Sequence, residues 1–186
     1  VADDGVESNS SEERTFLIDL TNPEIEFTEA TLDEQFVNNS FIYMEVYVVE
    51  DNFDNLTFYL YNSTYELIEE KTYHDDTRTV TFAVSDLDEI YYYNATVYDV
   101  VGHKASTSTR TLTLDNTNPE VNYTDSTLAD DYYINNSWIY IEVELEDTNF
   151  ANITYKLYNI SYLINSETYY SEEETNQNFT DKTDGV

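Results

Sequence analysis

Between Phe41 and Val48 the chain alternates. Ile42, Met44, Val46 and Val48 fall on one side of an extended backbone, and Tyr43, Glu45 and Tyr47 on the other. A period of two residues places successive side chains on opposite faces of a strand, so this segment predicts a strand with one buried face. The same pattern returns further on, with Ile139, Ile141, Val143 and Leu145 inward and Tyr140, Glu142 and Glu144 outward. A second alternating run, Leu56, Phe58 and Leu60, returns as Ile153, Tyr155 and Leu157. Glu24–Phe27, Glu66–Tyr73, Arg78–Val84, Tyr91–Asp99 and Ser106–Leu114 read as further strands, and no stretch carries a helical period. Seven or so short strands in about 95 residues, rich in aromatic and β-branched side chains, predict an all-β immunoglobulin-like sandwich.

The returning patterns belong to one internal duplication. The segment Thr21-Asn22-Pro23 to Tyr65 recurs as Thr117-Asn118-Pro119 to Tyr162, with NNSFIYMEV reading again as NNSWIYIEV and NLTFYLYNST as NITYKLYNIS. An offset of about 97 residues is the size of one small β domain, so the chain holds a tandem array. Residues 21–115 are expected to form a first sandwich and 116–186 a second that lacks its last strands. Arg14-Thr15 to Pro23 matches Arg110-Thr111 to Pro119, and more loosely Val1-Ala2-Asp3 matches Val97-Tyr98-Asp99. Residues 1–20 therefore read as material of the F and G strands that completes an adjacent sandwich. A half-sandwich would leave an open core and an unpaired edge. Either continuation of the array or a neighbouring chain donating strands is expected to close it.

The strand Tyr91–Asp99, followed by Gly102 and a Ser/Thr-rich strand, resembles the F–G hairpin of tandem immunoglobulin-like repeats in archaeal and bacterial surface proteins. The linker Leu114-Asp115-Asn116-Thr117-Asn118-Pro119 is similar to the hinges between such repeats. The resemblance implies a cell-surface or filament protein, and it specifies an architecture without specifying an activity.

Composition narrows the partners. Net charge is −32, from 39 acidic and 7 basic residues. Nucleic acid is excluded as a partner, because its affinity comes from neutralising phosphates with Lys and Arg, and an anionic membrane surface is disfavoured for the same reason. No apolar run reaches the length of a membrane span. Aromatics at 16% and hydrophobics at 40% give the chain enough material for a core despite its charge. The absence of cysteine from a chain read as secreted favours a prokaryotic surface protein.

Ten N-x-S/T sequons mark the chain for N-glycosylation: Asn9, Asn38, Asn55, Asn62, Asn94, Asn122, Asn135, Asn152, Asn159 and Asn178. Three repeat in register, Asn38 with Asn135, Asn55 with Asn152 and Asn62 with Asn159. Asn55, Asn94 and Asn122 have the parity opposite to their inward neighbours and so face solvent. Outward Tyr43, Tyr59 and Tyr140 stand near sequons and could pack against the first sugars, although tyrosine is also simply a favourable strand residue.

Other chemistry is thin. Asp51, Asp54, Asp115 and Asp147, with Glu50, Asp19 and Asn149 near them, are candidate calcium ligands, since hard cations take carboxylate oxygens at strand ends and hinges. Their spacing does not match the EF-hand pattern, and solvated turn carboxylates are the plainer explanation. His74 and His103 lie in different loops with no Cys to join them as ligand or nucleophile. Three glycines could hardly build a phosphate-binding loop. The sequence thus points to a non-enzymatic, N-glycosylated structural segment of an extracellular or cell-surface filament, self-assembling head to tail. A stalk or binding module of an adhesin, recognising carbohydrate or a partner surface, is the alternative.

Overall fold

The computed structural model describes residues 2–3, 5–6, 8–131 and 133–180, with Ala2, Asp3, Ser8 and Asn9 described by backbone alone. The described chain is all strand and turn, arranged as two units, Val1–Leu114 and Asp115–Val186.

In the first unit a short hairpin, β1 (Ala2–Asp3) with β2 (Ser8–Asn9), precedes the sandwich. The sandwich comprises β3 (Glu24–Phe27), β4 (Gln35–Val37), β5 (Phe41–Val49), β6 (Phe53–Tyr61), β7 (Leu67–Tyr73), β8 (Thr79–Ala83), β9 (Glu89–Asp99), β10 (Lys104–Ser106) and β11 (Arg110–Leu114). One sheet has the order β3-β5-β8; the other runs β4-β11-β9-β6-β7, with β10 also paired to β9. All pairings are antiparallel except β4 with β11, which is parallel. The predicted alternation governs burial: Ile42, Met44 and Val46 of one sheet meet Leu56, Phe58, Leu60, Tyr91, Tyr93, Ala95 and Val97 of the other, and all are buried.

Two details depart from the sequence reading. The segment 106–114 is not one strand. Thr107 interrupts it: its backbone N–H donates to the Ala95 carbonyl at 3.0 Å, while its hydroxyl accepts from the Ala95 N–H at 3.0 Å. A side chain thus takes a place in the ladder that a backbone carbonyl would otherwise fill. In addition, Arg14–Leu20, expected as a copy of β11, carries no strand. Leu112 and Leu114 are buried because β9 and β4 flank them, whereas Phe16 and Ile18 are 81% and 79% exposed with no such neighbours. The hairpin does keep one feature of the β9–β10 turn it was matched to. Gly5 and Gly102 adopt φ of 85° and 94°, a left-handed conformation open to glycine at little cost.

The second unit contains β12 (Glu120–Tyr123), β13 (Trp138–Glu146), β14 (Ile153–Tyr158), β15 (Leu163–Tyr169) and β16 (Asn176–Thr180). They form a three-stranded sheet, β12-β13-β16, and a two-stranded sheet, β14-β15. These copy β3-β5-β8 and β6-β7. Among the described residues nothing corresponds to β9, β10 or β11, and the core shrinks to Val143, Tyr155 and Phe179 with partly buried neighbours. Val121 and Tyr123, expected to face inward, are 56% and 74% exposed. Their copies are covered: Ile25 and Phe27 pack on the first core, with the Phe27 ring edge-on to Tyr93 at 6.0 Å and the Arg110 guanidinium 4.9 Å from its centre.

This contrast predicts unequal costs at matched positions. Phe27→Ala is expected to destabilise the first unit by about 2–3 kcal/mol, while Tyr123→Ala in unassembled chain changes stability by less than about 0.5 kcal/mol. Urea denaturation followed separately for each unit reads the difference.

Candidate functional site

Nine sequons have described side chains, and none of them is buried; the side chain of Asn9 lies outside the described residues. They fall into two structural kinds. Asn38, Asn62, Asn135, Asn152 and Asn159 lie in turns, loops or just ahead of a strand. The copies Asn62 and Asn159 do the same local work. The Asn62 carbonyl oxygen accepts from the backbone N–H of Thr64 at 3.0 Å and of Glu66 at 2.9 Å, and from the Thr64 hydroxyl at 2.8 Å. That of Asn159 accepts from Ser161 and Tyr162, both at 2.8 Å. Asparagine supports such turns through its own side chain, so these two residues serve the fold whether or not they carry sugar.

Asn55, Asn94, Asn122 and Asn178 lie within strands, on their outward faces. The register puts Asn55 opposite Tyr98 and Asn94 opposite Tyr59, with Thr57 opposite Thr96 between them. The two threonine hydroxyls are buried and hydrogen-bonded sideways, Thr57 to Thr72 and Thr96 to Ser106, each at 2.8 Å. In the second unit Asn178 stands opposite Tyr140, and Thr180 of the same sequon opposite Trp138. Tyr133, Trp138 and Tyr140, together with Asn135 and Asn178, line an open cleft of about 470 Å³.

Of the candidate calcium ligands, Asp19, Glu50 and Asp51 line one cleft of about 180 Å³, which Asp54, Asp115 and Asp147 do not line. Asp51 is exposed in the β5–β6 turn, Asp54 accepts from the Asn55 amide at 2.8 Å, and Asp147 caps its turn by accepting from the Asn149 N–H at 2.8 Å. Glu50 does the same for Asn52 at 2.7 Å. Asp115 belongs to the second unit, at its first residue. Among the described residues the ligand atoms that do gather, within 4.8 Å of one another, are those of Asp19, Asp99 and His103. Asn52 holds Asp19 there through a 2.8 Å hydrogen bond. Two oxygens and an imidazole could hold a divalent ion, but Asp99 is already engaged. Its carboxylate accepts from the N–H groups of Val101 at 2.9 Å and His103 at 2.8 Å, and from the His103 ring at 2.7 Å. The arrangement locks the β9–β10 turn and ties residue 19 to it. Burial pushes the Asp99 carboxyl up, but the hydrogen bonds from His103, Val101 and Gly102 outweigh burial and hold it below the usual carboxylate range. Sequence reasoning named Asp19 and weighed His103 only as a would-be partner of cysteine. It passed over Asp99, whose sole signal was its place after an alternating run and three residues before Gly102.

No protein-family model matches the chain, and no curated protein matches it. Solved structures do, among them one described as "Structures of Clostridium thermocellum CbhA fibronectin(III)-like modules". That match covers 85% of this chain and 79% of the other at 14% identity, with a TM-score of 0.42. The immunoglobulin-like sandwich class of this chain stands on its own strand order and facing sheets.

A depressed carboxylate stabilises the fold above its ordinary pKa, and that stabilisation disappears as the pH falls through the folded value. Asp99→Asn is therefore expected to lower Tm at pH 7, and the gap from the parent chain to close once the pH drops below the ordinary carboxylate range. Thermal melts from neutral to strongly acidic pH check this; a gap independent of pH would refute the role given to the charge.

Proposed function

We propose that this chain is a structural, N-glycosylated segment of an extracellular or cell-surface filament or array of prokaryotic, archaeal type, joined head to tail and without enzymatic activity. The observation that carries the reading is the tandem repetition of one strand pattern, β3-β5-β8 with β6-β7 and again β12-β13-β16 with β14-β15. Val121 and Tyr123 are exposed where the first unit covers Ile25 and Phe27 with β9, β10 and β11. Strands of the F–G kind, from a neighbouring chain or from continuation of the array, fit that face, because β14 offers the edge that β6 uses to bind β9. Residues 1–20 are material of this kind: a hairpin with the same glycine conformation, followed by the exposed apolar residues Phe16, Leu17, Ile18 and Leu20. Accessible sequons on both units agree with a secreted, sugar-coated surface.

Glycans offset the drawback of a −32 chain with exposed apolar edges by hindering lateral pairing, while like charge keeps the segments apart. Calcium takes oxygen ligands, and the carboxylates of Asp19, Glu50 and Asp51 that line one cleft are its candidate site. Millimolar calcium against excess chelator should then shift the first unit's melt, and superimposable curves would remove the metal from the account.

A second reading, an adhesin module recognising carbohydrate, draws on the Trp138 cleft of the second repeat, which places aromatic rings and amides together. Trp138 is the single tryptophan, so its fluorescence should respond to added oligosaccharide under this reading and stay constant under the first. Electron micrographs of native material decide more directly. Filaments with continuous density between units, and a mass that falls on deglycosylation, are expected; isolated particles whose mass deglycosylation leaves unchanged would overturn the proposal.

A further inference from the structure

The strand-borne sequons share a neighbour that their sequences do not advertise. Three of the four, Asn55, Asn94 and Asn178, stand directly across the ladder from a tyrosine: Tyr98, Tyr59 and Tyr140. The fourth, Asn122, stands across from Glu144. Tyrosine supplies 19 of 186 residues, so three matches in four places exceed what composition alone delivers.

In the first unit the pattern has a definite form. The motif N-x-T-x-Y occurs as Asn55-Leu56-Thr57-Phe58-Tyr59 and as Asn94-Ala95-Thr96-Val97-Tyr98. The two copies pair antiparallel, so each asparagine faces the tyrosine of the other across a shared Thr57–Thr96 rung. The outward face therefore reads Asn55–Tyr98, Thr57–Thr96, Tyr59–Asn94. Both rings are held: Tyr59 stacks near Tyr61 at 6.4 Å, and the Lys104 ammonium sits 6.0 Å from the centre of Tyr98. In the second unit, Asn178 and Thr180 face Tyr140 and Trp138 on the wall of the 470 Å³ cleft.

We propose that these cross-strand aromatics, Tyr98, Tyr59 and the Tyr140–Trp138 pair, are seats for the first sugars of N-glycans carried on Asn55, Asn94 and Asn178. The inference rests on the glycosylated reading given above and specifies where the sugar lies. Directly opposed residues have Cβ atoms about 4.5–5.5 Å apart, which puts the aromatic ring within reach of a sugar on the asparagine. The Asn55 and Asn94 amides donate to Asp54 at 2.8 Å and Thr109 at 3.2 Å, so seating the sugar turns those side chains toward Tyr98 and Tyr59. A pyranose carries one surface of axial C–H groups that is apolar and slightly positive, and an aromatic face is apolar and negative. Covering one with the other removes apolar area of both from water. The sugar becomes an extra residue of the outer layer. Asn122, which faces a carboxylate, has no such seat and serves as an internal control.

A double-mutant cycle tests this. Asn94→Gln and Tyr59→Val, singly and together, are made in the full chain secreted through a glycosylating host and again in a non-glycosylating cytosol. Valine keeps the strand preference, and Asn178→Gln with Tyr140→Val repeats the cycle in the second unit should the first set fold poorly. In glycosylated protein the pair should couple by about fivefold in the unfolding equilibrium constant, and the coupling should vanish in the unglycosylated chain. Asn122→Gln with Glu144→Val should be additive in both. Glycopeptide masses separate the two ways of failing. If Asn94 and Asn178 carry sugar but the cycles are additive, the seats are refuted and the glycosylated reading stands. If Asn55, Asn94 and Asn178 are bare while other sequons carry sugar, the seats alone are overturned; if all ten sequons are bare, both are.

Discussion

The first sandwich depends on β9 having both of its edges and one of its faces occupied. Its edges pair with β6 on one side and with β10 and β11 on the other, and its inward side chains Tyr91, Tyr93, Ala95 and Val97 are buried against the opposite sheet. The rest of the fold fastens onto it. The Tyr93 hydroxyl donates to the Leu32 carbonyl, the Asp99 carboxylate closes its far end, and Phe27 of the other sheet leans on its middle. The second unit shows what the same strands are without that partner. Among the described residues its facing sheet has two strands, its buried core residues number three, and its first strand lies bare along the positions that should face inward. Matched positions of the two repeats thus differ in burial according to whether strands like β9 and β11 lie over them, which shows how much of a β-sandwich core is long-range.

Of the seven basic residues, set against 39 acidic ones, four sit over aromatic rings: Lys71 on Phe82, Arg78 on Phe53, Lys104 on Tyr98 and Arg110 on Phe27. Three of these, Lys71, Arg78 and Arg110, also lie within 4 Å of a carboxylate. Their long apolar stems cover the rims of the core while the charge meets the ring face. The acids do a different job, capping turns through short hydrogen bonds to the next N–H groups, as Glu50, Asp75, Asp99 and Asp147 do. Charge in this chain is organised around backbone donors and aromatic faces more than around ion pairs, of which the described residues hold four.

The alternation in Phe41–Val48 and Leu56–Leu60 was legible because a half-buried strand has a period of two, and the structure buries those very side chains. The duplication made the second unit legible too, up to its missing hairpin. β4 was not: Gln35–Val37 is three residues long, Phe36 points outward, and its partner lies far along the chain. The break at Thr107 was hidden for another reason, since a hydroxyl standing in for a backbone carbonyl leaves no trace in a hydrophobic pattern. Of the site, the sequons and their outward parity could be read directly. What lay across from them could not, because register between Asn94 and Tyr59 spans 35 residues and is fixed only when the sheet forms.

The parallel pair β4–β11 has a mechanical meaning. Thr113 and Leu114 lie beside Phe36 and Val37, the Glu34 N–H reaches the Thr111 carbonyl at 2.8 Å, and the Thr111 N–H reaches Asp33 at 2.9 Å. The strands run the same way, so tension entering through Pro23 and leaving through Leu114 slides one past the other. Every bond in the row must then stretch together, whereas an antiparallel end would peel open one bond at a time. A row this short is a modest clasp, but it lies where pulling on a string of such units would first be felt.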